Sequence, residues 1–130
     1  MTDSLFTKII NGDIPCHKVY EDERTFAFMD IHPMTSGHVL VVSKTQKEFV
    51  WDLSDDDYSA VMATARRVAR RQKEVLQAPY VHLSVIGVDV PHAHIHVVPF
   101  ASADELKHDP DLEAEPAHDE LASLAERLKF

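Results

Sequence analysis

The residues that invite a chemical reading are His92-Ala93-His94-Ile95-His96, followed by Val97 and Val98. Side chains of an extended strand alternate between its faces. His92, His94 and His96 would therefore line one face, and Ala93, Ile95 and Val97 the other. Three aligned imidazoles admit three uses. They can be satisfied packing groups, although three polar rings make a costly core face. They can share a zinc ion, since histidines at i and i+2 on a strand converge, with His38 or Asp89 as a further ligand. Or one imidazole can attack phosphorus, provided its far nitrogen is hydrogen-bonded and neighbours meet the charge that forms. The spacing alone leaves all three open.

The elements that must hold this strand can be read around it. Ser4 caps a short helix running through Asn11, with Gly12 at its exit. Lys18-Val19-Tyr20 reads as a strand, Glu21 to Arg24 as a turn, and Thr25 to Asp30 as a second strand. Ile31 to Gly37 is a loop, and His38 to Val42 is the near-continuous apolar run of a strand covered on both faces. Ser54 opens the longest helix, which runs to Gln77, and Asp57 completes a near-capping box. Tyr58, Val61, Met62, Ala65, Val68, Ala69, Val75 and Leu76 give it an apolar stripe. Arg66, Arg67, Arg70, Arg71 and Lys73 fall mainly on its other faces, the usual pattern of a solvated surface. Ala78-Pro79 stops it. Tyr80 to Ile86 is another strand and Gly87 to Pro91 a turn, after which His92 to Val98 alternates until Pro99. Ala117 to Leu128 makes a last short helix with Leu121, Leu124 and Leu128 on one side. The expected class is α+β: about five strands, mostly antiparallel, with one long helix and a short N-terminal helix. Residues 1–100 form the domain. Residues 101–130 form an acidic tail with a short helix, part of the same single-domain protein.

A chain of 130 residues is one domain's worth. The formal net charge is −9, and residues 101–130 hold nine acids against three bases. That balance speaks against nonspecific nucleic-acid binding, which relies on Lys and Arg contacts to phosphates. It leaves room for a small, locally held anion in the body of the domain. No apolar run reaches the roughly 18 residues of a membrane span. The start, Met1-Thr2-Asp3-Ser4, lacks the basic and apolar stretches of a secretory signal. Cys16 is the single cysteine, so no internal disulfide can form. The expectation is a soluble cytoplasmic protein with no nucleic-acid or membrane partner.

The triad resembles the H-φ-H-φ-H-φ-φ signature of the histidine-triad (HIT) family of nucleotide hydrolases and transferases, where φ is an apolar residue. Ser4 to Pro15 is similar to that family's F-x-K-I-I-x-G-x-I-P segment, Phe26 to Ile31 to its A-F-x-D-I strand, and Gly37 to Val42 to its G-H-x-L-V-I strand. The blocks keep the family's order from Leu5 to Phe100, and the Hint-like branch fits best. The resemblance implies that His94 attacks the α-phosphate of a nucleotide and carries the nucleotidyl group as a phosphoramidate until water releases it. It implies that His96 and His38 orient the nucleophile and contact phosphate. It also implies that the backbone of His92 fixes the nucleophile's tautomer. Asp30 would accept the ribose hydroxyls. Phe6, Ile9, Ile14, Phe28 and Ile31 would form the apolar slot for the base. The residues also have plainer readings. Phe6, Ile9, Ile14 and Phe28 suit any core, Asp30 could cap the loop that follows it, and His38 could be an incidental strand residue. His17, His32, His82, His108 and His118 match no motif position.

Two departures bear on specificity. The family's N-x-G-x-x-A-G-Q-like loop is replaced by Ser84 to Pro91, without its amide and hydroxyl donors. Asp89 stands three residues before His92, where relatives often place Ser or Thr. It could recognise a cationic leaving group, orient a histidine, or only shape the turn, since a carboxylate near phosphate is repulsive unless protonated or paired. Ser4 and Thr7 occupy the places of a C-x-x-C that helps some bacterial relatives to bind zinc, and neither is a good zinc ligand. The expectation is therefore no metal and no cofactor. The implied activity is hydrolysis of purine nucleoside phosphoramidates such as adenosine monophosphoramidate by a homodimer. The long helix and the Tyr80–Ile86 strand would form the dimer interface. Alternatives are a dinucleoside polyphosphate hydrolase or nucleotidyl transferase, a nucleotide-binding dimer module with little turnover, or a metal binder using the histidine face.

Overall fold

Runs of β-branched and aromatic residues form the sheet. The computed structural model describes residues 2–107 and 109–130. Its strands are β1 (Lys18–Glu21), β2 (Thr25–Met29), β3 (Val39–Ser43), β4 (Tyr80–Ser84) and β5 (His94–Phe100). They lie in the order β1-β2-β3-β5-β4, and every neighbouring pair is antiparallel. All five residues of β2 and all five of β3 are buried, as strands covered on both faces must be. Alternation then sorts their side chains. Ala27, Met29, Val39, Val41, Ile95 and Val97 belong to one apolar cluster, and Phe26, Phe28, Leu40 and Val42 to another. His94 and His96 lie opposite Val42 and Leu40 in the register, on this second face.

Helix α1 (Leu5–Ile10) is capped by Ser4, whose Oγ accepts from the Thr7 amide at 3.0 Å, and it covers the second face with Phe6 and Ile9. Helix α2 (Asp55–Leu76) covers the first face. Its cap is Ser54, three aspartates fill its positive first turn, and Gln77 ends it in the left-handed conformation. The buried stripe of α2 is Val61, Thr64, Ala65, Val68 and Gln72. It is rotated from the apolar stripe read in the sequence, because Tyr58 and Met62 face solvent beside Trp51 and Leu83. Two polar residues take their places in the core, and the Gln72 Oε1 among them is buried without a partner. Thr64 Oγ1 meets Thr25 Oγ1 at 2.8 Å, and Gln72 Nε2 donates to the carbonyls of Gly37 and Val97.

Helix α3 (His118–Leu128) adds Leu121, Leu124, Ala125 and Leu128 to the first cluster. Four of the eleven residues of α3 are thus buried against the sheet and α2. The basic stripe of α2 explains how they are held. Arg71 donates to the carbonyls of Arg127, Leu128 and Lys129 at the end of α3. The Arg67 guanidinium stands over the stacked rings of Tyr20 and Phe130.

The histidine strand differs from its sequence reading at both ends. It begins at His94 and continues through Pro99 to Phe100. Pro99 is tolerated because the pairing with β3 ends at Val97. The Pro99 carbonyl therefore points past the end of β3, where Thr35 Oγ1 donates to it. His92 and Ala93 precede the strand. The Ala93 amide donates instead to the Lys47 carbonyl at 2.7 Å, and the His92 amide to Val90. The Tyr80 strand ends at Ser84 rather than Ile86.

Candidate active site

The period-two argument thus applies to His94 and His96, while His92 reaches the same side from a turn. The Phe6 ring records the convergence. It meets His94 edge-on at 5.0 Å, His92 at 5.8 Å and Phe28 at 5.5 Å. His92, His94 and His38 are buried, and His96 is half-buried.

Obligate partners fix the proton on each ring. A carbonyl oxygen only accepts, so His94 Nδ1, 2.6 Å from the His92 carbonyl, carries a hydrogen and Nε2 keeps a bare lone pair. His92 Nε2 lies 2.6 Å from the Ser43 carbonyl, so that nitrogen is the donor and Nδ1 accepts from Ser4 Oγ, also at 2.6 Å. A backbone amide only donates. The Met34 amide, 3.0 Å from His38 Nδ1, therefore places the His38 proton on Nε2. His38 Nε2 is 3.0 Å from His96 Nδ1, which accepts that proton and leaves Nε2–H of His96 as the ring's donor. His94 and His96 rings are 5.1 Å apart, so a lone pair and an N–H donor stand side by side.

Burial keeps the four rings neutral. It drives His38 down to about 3 and His96 to about 4, with the charges of neighbouring histidines adding to the effect. Burial also lowers His94, opposed by its bond to the His92 carbonyl and by the Asp89 carboxylate. It lowers His92 against the Ser43 carbonyl. Burial raises Asp30, partly offset by the His32 amide that donates to its Oδ1 at 2.8 Å. The loop-capping reading of Asp30 is therefore realised on one oxygen. The other, Oδ2, stands 3.5 Å from His38 Nε2.

Phe6, Ile9 and Phe28 pack in one cluster with Phe26, Leu40 and Val42, and Ile14, Cys16 and Val90 border it. Ile31 is 41% exposed and lies outside this cluster. Asp89 is exposed in the loop before β5, where its charge reaches Asp30, His94 and His96. Among the unmatched histidines, His82 sits on β4, its charge felt by His38 and His96, and His17 pairs with His118 at 2.9 Å. His32 serves Asp30 through its amide, which donates to Oδ1, and its ring also favours the Asp30 carboxylate. His108 lies outside the described residues. Sequence reasoning missed Met34, Ser43 and Gln46. The first two act through backbone atoms, which side-chain identity does not report, and Gln46 sits in a loop without periodicity.

A sequence model of the HIT domain matches residues 11–102. The chain belongs to the HIT family. This HIT protein is 32% identical over 99 residues to an adenosine 5'-monophosphoramidase of Schizosaccharomyces pombe, covering 73% of this chain and 72% of the yeast protein. A HIT-like protein of Bartonella henselae has the same fold, with a TM-score of 0.85 at 25% identity over 97% of this chain and 93% of that one. A zinc-bound histidine triad protein of Mycobacterium smegmatis matches with a TM-score of 0.77 at 31% identity, over 95% and 94% of the two chains.

Zinc binding by a relative prompts a test of the donor set here. Asp30, His38 and His96 each bring one potential ligand atom within 4.8 Å of the others. The tautomers do not suit a metal. Binding through His38 Nε2 would put the proton on Nδ1, facing the Met34 amide donor-to-donor. At the N-terminal C-x-x-C position the Ser4 and Thr7 oxygens are engaged with His92 and Gln46. No helix among the described residues is long and apolar enough to cross a membrane.

Proposed function

We propose that this HIT protein hydrolyses purine nucleoside phosphoramidates, such as adenosine monophosphoramidate, through a nucleotidyl group carried on His94. The observation that carries the reading is the 2.6 Å bond from His94 Nδ1 to the His92 carbonyl. It holds the proton on Nδ1 and presents the Nε2 lone pair, while burial keeps the ring neutral. His94 Nε2 attacks the α-phosphorus. The phosphorus–nitrogen bond to the leaving amine breaks, its electron pair stays on the amine nitrogen, and His96 Nε2–H is the proton at hand for it. Water then attacks phosphorus, one of its protons restores His96 Nε2–H, and the nucleoside monophosphate leaves as the phosphorus–nitrogen electron pair returns to His94 Nε2. His38 acts through His96 by holding its Nδ1 as an acceptor. Asp30 Oδ2 is the oxygen available to the ribose hydroxyls, and the cluster around Phe6, Ile9, Ile14 and Phe28 supports the base. The named activity of the yeast relative agrees with this reading.

The test is intact-protein mass spectrometry after a rapid quench with adenosine monophosphoramidate, beside a steady-state assay for AMP. A nucleotidyl adduct on the wild type and none on His94→Ala, with AMP released, is the expected result. Neither adduct nor AMP from the wild type would refute it.

The functional unit is a homodimer. Trp51, Tyr58, Met62, Leu83 and Val85 are exposed around a groove of about 330 Å³ between α2 and β4, and β4 is an edge strand. Sedimentation at micromolar concentration is expected to give a dimer. A clean monomer would overturn this assignment.

A further inference from the structure

We propose that Ser4 is a positioning residue for His94, acting through the ring and the carbonyl of His92. The inference rests on the reading of His94 as the nucleophile. Four side chains from distant parts of the chain meet behind the triad: Ser4 and Thr7 of α1 and its cap, Gln46 of the loop after β3, and His92. Obligate donors and acceptors fix the polarity of the whole cluster. The Ser43 carbonyl requires a proton on His92 Nε2, so the buried, neutral ring must accept at Nδ1. Ser4 Oγ supplies that proton at 2.6 Å and accepts the Thr7 amide at 3.0 Å. Thr7 Oγ1 lies 3.4 Å from the same nitrogen but directs its proton to Gln46 Oε1 at 2.6 Å. Gln46 Oε1 also takes the Ser4 amide at 2.9 Å, and Gln46 Nε2 donates to the Thr2 carbonyl. Ser4 is thus the one well-placed donor to His92 Nδ1 among these side chains.

The His92 ring is therefore bonded on both nitrogens, each across 2.6 Å, and the carbonyl of the same residue holds His94 Nδ1 across another 2.6 Å. Without the Ser4 hydroxyl, the buried Nδ1 loses its donor. The ring must then swing, or shift its proton to Nδ1 and set a bare Nε2 against the Ser43 carbonyl. Both responses pull on the His92 backbone. The carbonyl that selects the Nδ1–H tautomer of His94 then moves, and any His94 protonated at Nε2 has no lone pair to offer.

Ser4 also caps α1, so the test must separate the two jobs. Glycine is nearly as good a helix cap as serine, and alanine is a poor one. If Ser4 is only a cap, Ser4→Gly keeps kcat for phosphoramidate hydrolysis and Ser4→Ala alone suffers. If it positions the nucleophile, both variants lose kcat by about ten- to a hundredfold with little change in KM, and Ser4→Thr restores it. Nitrogen-15 spectra of the histidine rings, recorded without substrate, give a second readout. The wild type is expected to show His94 protonated at Nδ1, and Ser4→Gly a mixture of tautomers at His92 and His94. Unchanged kcat and unchanged His94 nitrogen shifts in Ser4→Gly would overturn the proposal. If the wild type turns over no phosphoramidate, the functional reading fails by itself. The spectra then still decide the Ser4 link, since they require no turnover.

Discussion

The buried histidines make stability fall steeply as the solution is acidified. An unfolded histidine takes up a proton near 6.5, whereas His38 in the fold resists until about 3 and His96 until about 4. Between those values the unfolded chain binds protons that the folded one refuses, so lowering pH favours unfolding. Each pKa unit is worth about 1.4 kcal/mol. At about pH 5 each of these rings therefore contributes a loss of roughly 2 kcal/mol relative to neutral pH, about 4 kcal/mol together. His92 and His94, also lowered by burial, add to the loss. Asp30, raised by burial, works weakly the other way, because the folded state takes its proton first. A loss of about 4 kcal/mol is a large part of what a domain of this size has to lose. Urea unfolding followed by circular dichroism, at one protein concentration and at about pH 7.5, 6.5, 5.5 and 5, measures it. Close to two protons or more should be taken up on unfolding near pH 5.5. The double variant His38→Gln, His96→Gln should flatten the slope by that amount. A loss below about 1 kcal/mol across the range would mean that the rings titrate in the fold, and the neutral-triad argument would go with it.

Three further outcomes follow from the geometry. Gly37 has φ of +99°, and an added Cβ would lie 2.5 Å from Leu76 Cδ1 and 3.2 Å from Pro99 Cγ. Gly37→Ala should therefore cost about 1–3 kcal/mol in urea unfolding, and a neutral result would show that the loop relaxes freely. Arg71→Ala removes three bonds to the carbonyls that end α3. Amide exchange should rise in α3 with a loss of about 1–3 kcal/mol, while β2 and β3 stay protected. Asp89→Asn removes a negative charge that favours the protonated forms of His94 and His96. If His94 is the nucleophile, as proposed, the acid limb of turnover should move to lower pH with its plateau unchanged, and a shift to higher pH would contradict the placement of Asp89.

Alternation and capping made the sheet and helices legible. Five buried residues in β3 and the Ser54 cap of α2 are consequences of local sequence that tertiary contacts did not override. The errors have physical causes. Hydrophobicity defines an α2 stripe without Thr64 and Gln72, yet both are buried: Thr64 meets Thr25, and Gln72 Nε2 donates to the Gly37 and Val97 carbonyls while its Oε1 stays unpartnered. Tyr58 and Met62 are apolar but face outward beside Trp51 and Leu83. The helix at 117–128 and its leucine face are legible in the sequence, whereas the arginine face of α2 that holds its end reads there as a solvated one. At the site, the motif placed the imidazoles but not their protons. Those are set by the amide of Met34 and the carbonyls of Ser43 and His92, groups that every residue carries and no motif displays.

On the proposed mechanism, the same burial that destabilises the fold in acid suits His94 to act as a nucleophile. A solvent-exposed imidazole near its ordinary pKa spends part of its time protonated, and its neutral form divides between two tautomers. Sinking His94 beneath Phe6, between α1 and the sheet, suppresses the cation, and the His92 carbonyl removes the unreactive tautomer. Both effects require water to be absent and the neighbouring donors and acceptors to be matched without remainder, because an unmatched buried polar atom costs about 1–3 kcal/mol. The chain meets that requirement with one continuous sequence of bonds on each side of the triad. One runs from Gln46 through Thr7 and Ser4 to His92 and His94, and the other from Met34 through His38 to His96. A substitution at one of the positions that bond through a side chain (Gln46, Thr7, Ser4, His92, His38 or His96) that keeps size but reverses a donor and an acceptor should therefore affect chemistry more than packing. Apolar neighbours such as Val42 and Leu40 should tolerate exchange for groups of similar volume.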